Sequence, residues 1–142
     1  MIKQNFFPNK FAIITLIIGC FVVFVSMGIR QTYGLFFQFF ESDLNITSTS
    51  FGLSIGIQAI VWGIFATVFG LIADKFGANK VVSFALIVYA TGIFFISNFD
   101  SSGLFFQINL GLLVGIGLGG AAAPIVVPTV AKHFPNHHRA KV

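Results

Sequence analysis

The chain has 142 residues, of which 56% are hydrophobic and only 8% charged. A soluble domain carries about a quarter charged residues, so this composition excludes a water-soluble fold and points to lipid. A net charge of +4 would fit nucleic acid in a soluble protein, but the placement of the charges rules that partner out, as shown below.

A helix crossing ~30 Å of hydrocarbon needs about 20 mostly apolar residues. Four segments meet that length, roughly 11–39, 49–70, 81–98 and 103–131, and they use nearly the whole chain. A bilayer has no water to satisfy open sheet edges, so the segments predict an all-α, polytopic transmembrane bundle of four spans. Pro8 stands where the first helix can begin. Span one is longer than a bilayer requires, so a tilt or a projecting end is expected. "ESDLNITSTS" (41–50) reads as a loop whose Thr47 to Ser50 supply oxygens suited to capping span two. Span three is plain, with little beyond Tyr89 and Thr91 for chemistry, and "NFDSS" (98–102) reads as a tight turn before span four.

Span four carries Gly111, Gly115 and Gly119, each four residues apart. Such a ladder presents one helix face without side chains, which is how membrane helices approach closely. It reads as packing before any ligand contact. Gly52 and Gly56 make a shorter version in span two. Pro124 and Pro128 should bend the second half of span four, because each removes an intrahelical hydrogen bond. Cys20 is the single cysteine and permits no intrachain disulfide. "IIGC" (17–20) resembles a lipoprotein cleavage site, but the apolar run continues straight through it, which argues against processing.

Lys3 and Lys10 precede span one, Lys75 and Lys80 lie between spans two and three, and Lys132, Arg139 and Lys141 follow span four. The other two connections hold Glu41, Asp43 and Asp100 and no basic residue. By the positive-inside rule both termini and the 70–80 connection face the cytoplasm. The basic residues are topology signals, and no nucleic-acid partner is expected.

Arg30 alone falls inside a span. Charges at membrane depth cost at least ~2.5 kcal/mol on insertion scales and are often functional. At about 3.6 residues per turn, Gly19, Val23, Ser26, Arg30, Tyr33 and Phe37 share a face. A cation beside two hydroxyls suits a carboxylate ligand, which makes Arg30 and Tyr33 candidate binding residues. Ser54, Gln58 and Trp62 share a face of span two, with Gln58 the third candidate, and Gln107 lies near the start of span four. Other readings stand beside these. Arg30 lies in the last third of span one, where its stem can snorkel to headgroups. Gln58 can serve as an interhelical hydrogen-bond donor, and Tyr33 and Trp62 as aromatic-belt residues. His133, His137 and His138 flank Pro135 without Cys or acid nearby, so no metal and no other cofactor is expected. Neither a carboxylate pair nor a nucleophile–base pair appears, so an enzyme is not expected.

"GLIADKFGANK" (70–80) resembles the signature loop of the major facilitator superfamily, G-x-x-x-D-[RK]-x-G-x-[RK]-[RK]. Gly70, Asp74, Lys75, Gly77 and Lys80 match it between the second and third spans, while Ala78 and Asn79 depart from its basic positions. Physical roles follow for each residue. Gly70 relieves a helix contact, Gly77 takes φ > 0 in a short reversal, and the lysines hold the loop in the cytoplasm. Asp74 is opposed by the dipole of its own helix, so it needs a basic group or another helix N-terminus. The resemblance implies that this Asp helps close the cytoplasmic side between two half-carriers.

"MGIRQTYGLFF" (27–37) and "AKHFPNHHRA" (131–140) look like segments of the monocarboxylate and oxalate–formate branch, although "INLGLLVGIG" (108–117) lacks the basic residue that many proton-coupled members carry there. The resemblance implies a secondary carrier for a small organic anion working by alternating access. Residues 1–142 would be its partial N-terminal transmembrane domain, the first third of a twelve-helix fold. The chain is then expected to be truncated. Its partners would be a small organic anion, the lipid bilayer and the missing C-terminal helices of the same carrier. It is expected in the bacterial inner membrane. A self-sufficient homo-oligomeric four-helix exporter is the alternative, disfavoured because the spans hold no acid. A non-transporting remnant or adaptor is another.

Overall fold

A computed structural model of the chain describes residues 10–98, 103–121 and 123–131. Three long helices come first: α1 (Lys10–Leu44), α2 (Ser48–Phe76) and α3 (Ala78–Asn98). The fourth span is a succession of α4 (Gly103–Phe106), a π-helical stretch (Gln107–Leu113), α5 (Val114–Ala121) and α6 (Ala123–Ala131). No strand occurs among the described residues. Four helical stretches are long and apolar enough to cross a membrane. Their outer faces expose Phe24, Leu35, Ile60, Leu71 and Leu104, a surface that would aggregate in water and suits lipid.

Span four is the spine of this bundle. Of its most apolar stretch 69% is buried, against 11% in spans one and two and 22% in span three. Phe106, Leu110, Val114 and Leu118 form a fully buried line along it, and Tyr33, Ile46 and Tyr89 close around that line. The glycines explain how the neighbours come so near. A Cβ at Gly111 would lie 2.9 Å from Ile57 Cγ2, at Gly115 3.1 Å from the Gln58 carbonyl, and at Gly119 2.7 Å from Phe65 Cβ. All three therefore face α2. A second glycine face, which the sequence reading did not single out, meets α3. There a Cβ at Gly117 would lie 2.5 Å from Tyr89 Cβ, and one at Gly120 would strike Ala85. Gly52, Gly56 and Gly70 differ, with nothing among the described residues within 4 Å of an added Cβ. Among the described residues none meets these three positions, so the contact expected for Gly70 is not made by any of them.

The connections are tighter than the hydropathy pattern implies. Residues 41–44 remain helical, which leaves only 45–47 between α1 and α2. Asn45 takes φ +52, a left-handed conformation that Asn tolerates better than most residues. Ile46 then turns inward, 1% exposed, and its N–H bonds the Phe40 carbonyl at 3.1 Å. Thr47 caps α2 as expected, its hydroxyl accepting from Ser50 N–H at 3.2 Å. Phe37 and Phe51 pack nearby with tilted rings 5.0 Å apart, and Phe40 meets Phe106 edge-on at 5.2 Å.

Span two corrects the boundary at residue 70. The helix runs on to Phe76, so Asp74 and Lys75 lie in its last turn and Gly77 alone separates it from α3. Gly77 has φ +93 and donates its N–H to the Ala73 carbonyl at 2.9 Å. Polar residues end the membrane crossing, but nothing in "ADK" breaks a helix. The break falls at the glycine, where φ > 0 carries no Cβ penalty. Lys80 accordingly sits in the first turn of α3.

Span four departs from α-helical geometry already in its first half, ahead of Pro124 and Pro128. Asn109 is 2% exposed, and its Nδ2 donates to the Phe105 carbonyl at 2.8 Å. That carbonyl would accept the Asn109 N–H in an α-helix, so side chain and backbone compete for it. The result is a wider turn over residues 107–113. Further along, Pro128, which has no N–H to donate, is carried inside α6.

Candidate substrate-binding site

Polar residues of spans one and two meet inside the bundle, and one of them reaches the backbone of span four. Arg30 lies roughly 21 Å along the axis from the Leu44 end of α1, because that helix is longer at both ends than the hydropathy boundaries indicate. Its guanidinium stacks over the ring of Trp62, 5.3 Å from the centroid, and Trp62 lies midway between Ser48 and Phe76 in α2. The guanidinium is thus held against the middle of α2. The stack contributes about 0.5–2 kcal/mol, the upper end applying where water is excluded.

Gln58 lies one turn from Trp62 on the same face of α2 and is fully buried. Its Nε2 donates to the Leu110 carbonyl at 3.1 Å, inside the π-helical stretch. This bond also fixes which way the amide points, because only the NH2 end can donate to a carbonyl. Gln58 is thus an interhelical donor, and its other end stays available. Arg30 Nε, Trp62 Nε1 and Gln58 Oε1 are all buried with no hydrogen-bond partner among the described residues. Each such atom costs about 1–3 kcal/mol if left unsatisfied. The two donors suit negatively charged oxygens of a ligand, and the acceptor suits a hydroxyl or another donor.

Tyr33 faces elsewhere. It is 7% exposed, and its hydroxyl lies 3.5 Å from that of Tyr89 in α3. Tyr89 in turn donates to the Ser26 carbonyl at 3.1 Å. Since that proton is committed to a carbonyl, Tyr33 is the donor in the long contact between the two hydroxyls. Arg30 thus leans on span two and Tyr33 on span three, although both were assigned to one face. They sit nearly a turn apart along α1 and turn to different neighbouring helices. Tyr89 stands out in the sequence only as one of two polar residues of a plain span, and Asn109 is signalled by the same feature, a polar side chain in an otherwise apolar span. Gln107 opens the π-helical stretch.

At the far end of α2, Asp74, Lys75 and Lys80 are all exposed, and Lys75 Nζ rests 5.4 Å from the centre of the Phe76 ring. His133, His137 and His138, Pro8, most of the 98–102 turn and nearly all of the 131–140 segment lie outside the described residues.

The family model described as Major Facilitator Superfamily matches residues 19–142. The chain belongs to the major facilitator superfamily. Four apolar spans and that membership make it an integral membrane protein, from a family of membrane transporters and not of enzymes. Among curated proteins it is similar to the probable nitrate transporter NarT of Staphylococcus aureus, in strains JH9, Newman and USA300 / TCH1516. In each case the identity is 29% over 98 residues, 69% of this chain and 24% of the relative. The matched stretch therefore spans about a quarter of these relatives' length. No solved structure matches the chain.

Proposed function

We propose that these four spans form one wall of the binding site of a secondary carrier for a small planar oxyanion, moved by alternating access. Residues 1–142 would belong to its N-terminal transmembrane domain, with both termini and the Gly77 turn in the cytoplasm. The observation that carries the reading is the guanidinium of Arg30, held over Trp62 with its Nε unpartnered. Beside it are the equally unpartnered Trp62 Nε1 and Gln58 Oε1. A guanidinium fork matches two oxygens of one plane, which a carboxylate and a nitrate both present. The monocarboxylate reading gains support from Gln58 Oε1, an acceptor that a hydroxyl-bearing carboxylate would satisfy. Nitrate has only acceptors, and its support is the printed name of the relatives. In this account Tyr33 contributes to the wall through Tyr89, not by touching the anion. Gly70, Asp74, Lys75, Gly77 and Lys80 serve closure at the cytoplasmic end. The family match does not favour the alternative of a self-sufficient four-helix exporter.

The test uses Trp62, the chain's single tryptophan. With the chain in lipid nanodiscs, Trp62 emission is titrated with nitrate, with a simple monocarboxylate and with a 2-hydroxy monocarboxylate. A saturable change, strongest for the hydroxy acid and lost in Arg30→Gln, is expected. Changes that rise linearly with every salt, identical in parent and variant, would contradict the site.

A further inference from the structure

Span one meets span three across an apolar cleft of about 600 Å3, whose walls include Phe21, Val25, Leu86 and Phe94. Packing therefore does little to fix the rotation of α1 on this side. One side chain crosses the cleft with a hydrogen bond. Tyr89, 4% exposed, donates to the carbonyl of Ser26 at 3.1 Å. In an α-helix that carbonyl accepts the N–H of the residue four positions on, which here is Arg30. The tyrosine hydroxyl and the Arg30 amide thus converge on one oxygen.

Two further contacts tighten the link. Ser26 Oγ donates back to the Val22 and Val23 carbonyls at 2.8 and 3.2 Å, a pattern that bends helices and fixes their local course. On the other side of Arg30, Tyr33 brings its hydroxyl to 3.5 Å from that of Tyr89. Tyr89 therefore touches α1 about one turn before Arg30 and one turn after it. Its own place is set from behind, because only a glycine at 117 lets span four come so close to the Tyr89 backbone.

We propose that Tyr89 is a positioning residue: by bracketing Arg30 from α3 it sets the rotation of α1 and so holds the guanidinium over Trp62. The functional meaning rests on the anion-site reading, but the geometry it claims exists without any anion, so the two can fail separately.

The experiment reads Trp62 emission of the chain in nanodiscs, in buffer with no oxyanion added. Arg30→Gln defines the shift produced by losing the stacked cation. Tyr89→Phe keeps the ring against Gly117 and removes only the hydroxyl. It should shift the emission in the same direction and by a comparable amount. In an Arg30→Gln background it should add nothing, since residues acting through one another are not additive. Tyr33→Phe, which removes only the long contact, should give a smaller shift of the same sign. Thr91→Val removes a hydroxyl of the same span that bonds only its own helix, at the Ile87 carbonyl, and should leave the emission at the parent value. Parent-like emission in Tyr89→Phe, fully additive shifts in the double variant, or an equal shift in Thr91→Val would each overturn the proposal. The anion titration of the parent is read separately, so a chain that ignores anions but shows the coupled shift refutes the anion reading and leaves the positioning role intact.

Discussion

Gln58 does two jobs with one amide, and they can be separated. Its Nε2 end ties span two to the Leu110 carbonyl, and its Oε1 end is unpartnered. Gln58→Leu removes that donor, a loss of about 0.6 kcal/mol on average and up to about 1.7 for hydrogen bonds between membrane helices. It also removes the unpartnered Oε1, which offsets part of that loss, so thermal unfolding in detergent should show a small net destabilisation. A variant more stable than the parent would mean the bond contributes less than the buried acceptor costs. At this scale the sequence was partly legible. Arg30 and Gln58 stand out because a charge and an amide are conspicuous in apolar spans. The indole beneath Arg30 was not legible, because nothing in α1 says which neighbour its residue 30 meets. Tyr89 was harder still. A lone hydroxyl in a plain span gains meaning only from an acceptor 63 residues away.

The helices pack by the faces their glycines open. Gly119 sits with no room for a Cβ against Phe65, whereas Gly70 has nothing within 4 Å. Gly119→Ala should therefore cost about 1–3 kcal/mol through overpacking, while Gly70→Ala should be neutral or slightly stabilising within this chain. Melting curves of the two variants check the contrast, and equal effects would show that the packing of span four on span two is not as described. The ladder at 111, 115 and 119 was legible because its four-residue period survives the π-helical stretch. The second face, through Gly117 and Gly120, was hidden in a run where nearly every residue is small. The helix ends were misjudged for a physical reason. Hydropathy marks where the chain leaves hydrocarbon, whereas the helix ends where the backbone needs φ > 0, at Gly77.

For the whole molecule, seven of the eight basic residues cluster before span one, around Gly77 and after span four, from which the positive-inside rule predicts that these three places face the cytoplasm. Reporter fusions after residues 45 and 77 should read outside and inside respectively. An outside signal at 77 would reverse the topology. Four spans crossing the membrane as helices followed from length and composition, and the family from five letters in one connection. The arrangement around span four did not follow, because hydropathy cannot say which apolar helix is buried by the others. The central claim is that Arg30 anchors the transported anion. Its most direct measurement is uptake by a hybrid carrier in which this chain replaces the matched segment of a full-length relative, comparing Arg30 with Arg30→Gln and Arg30→Lys. A buried charge-assisted pair is worth ~1.5–3 kcal/mol. KM should therefore rise about tenfold to a hundredfold in Arg30→Gln and recover only in part in Arg30→Lys, whose point charge cannot grip two oxygens at once. An unchanged KM in Arg30→Gln, at normal membrane levels, would contradict the account.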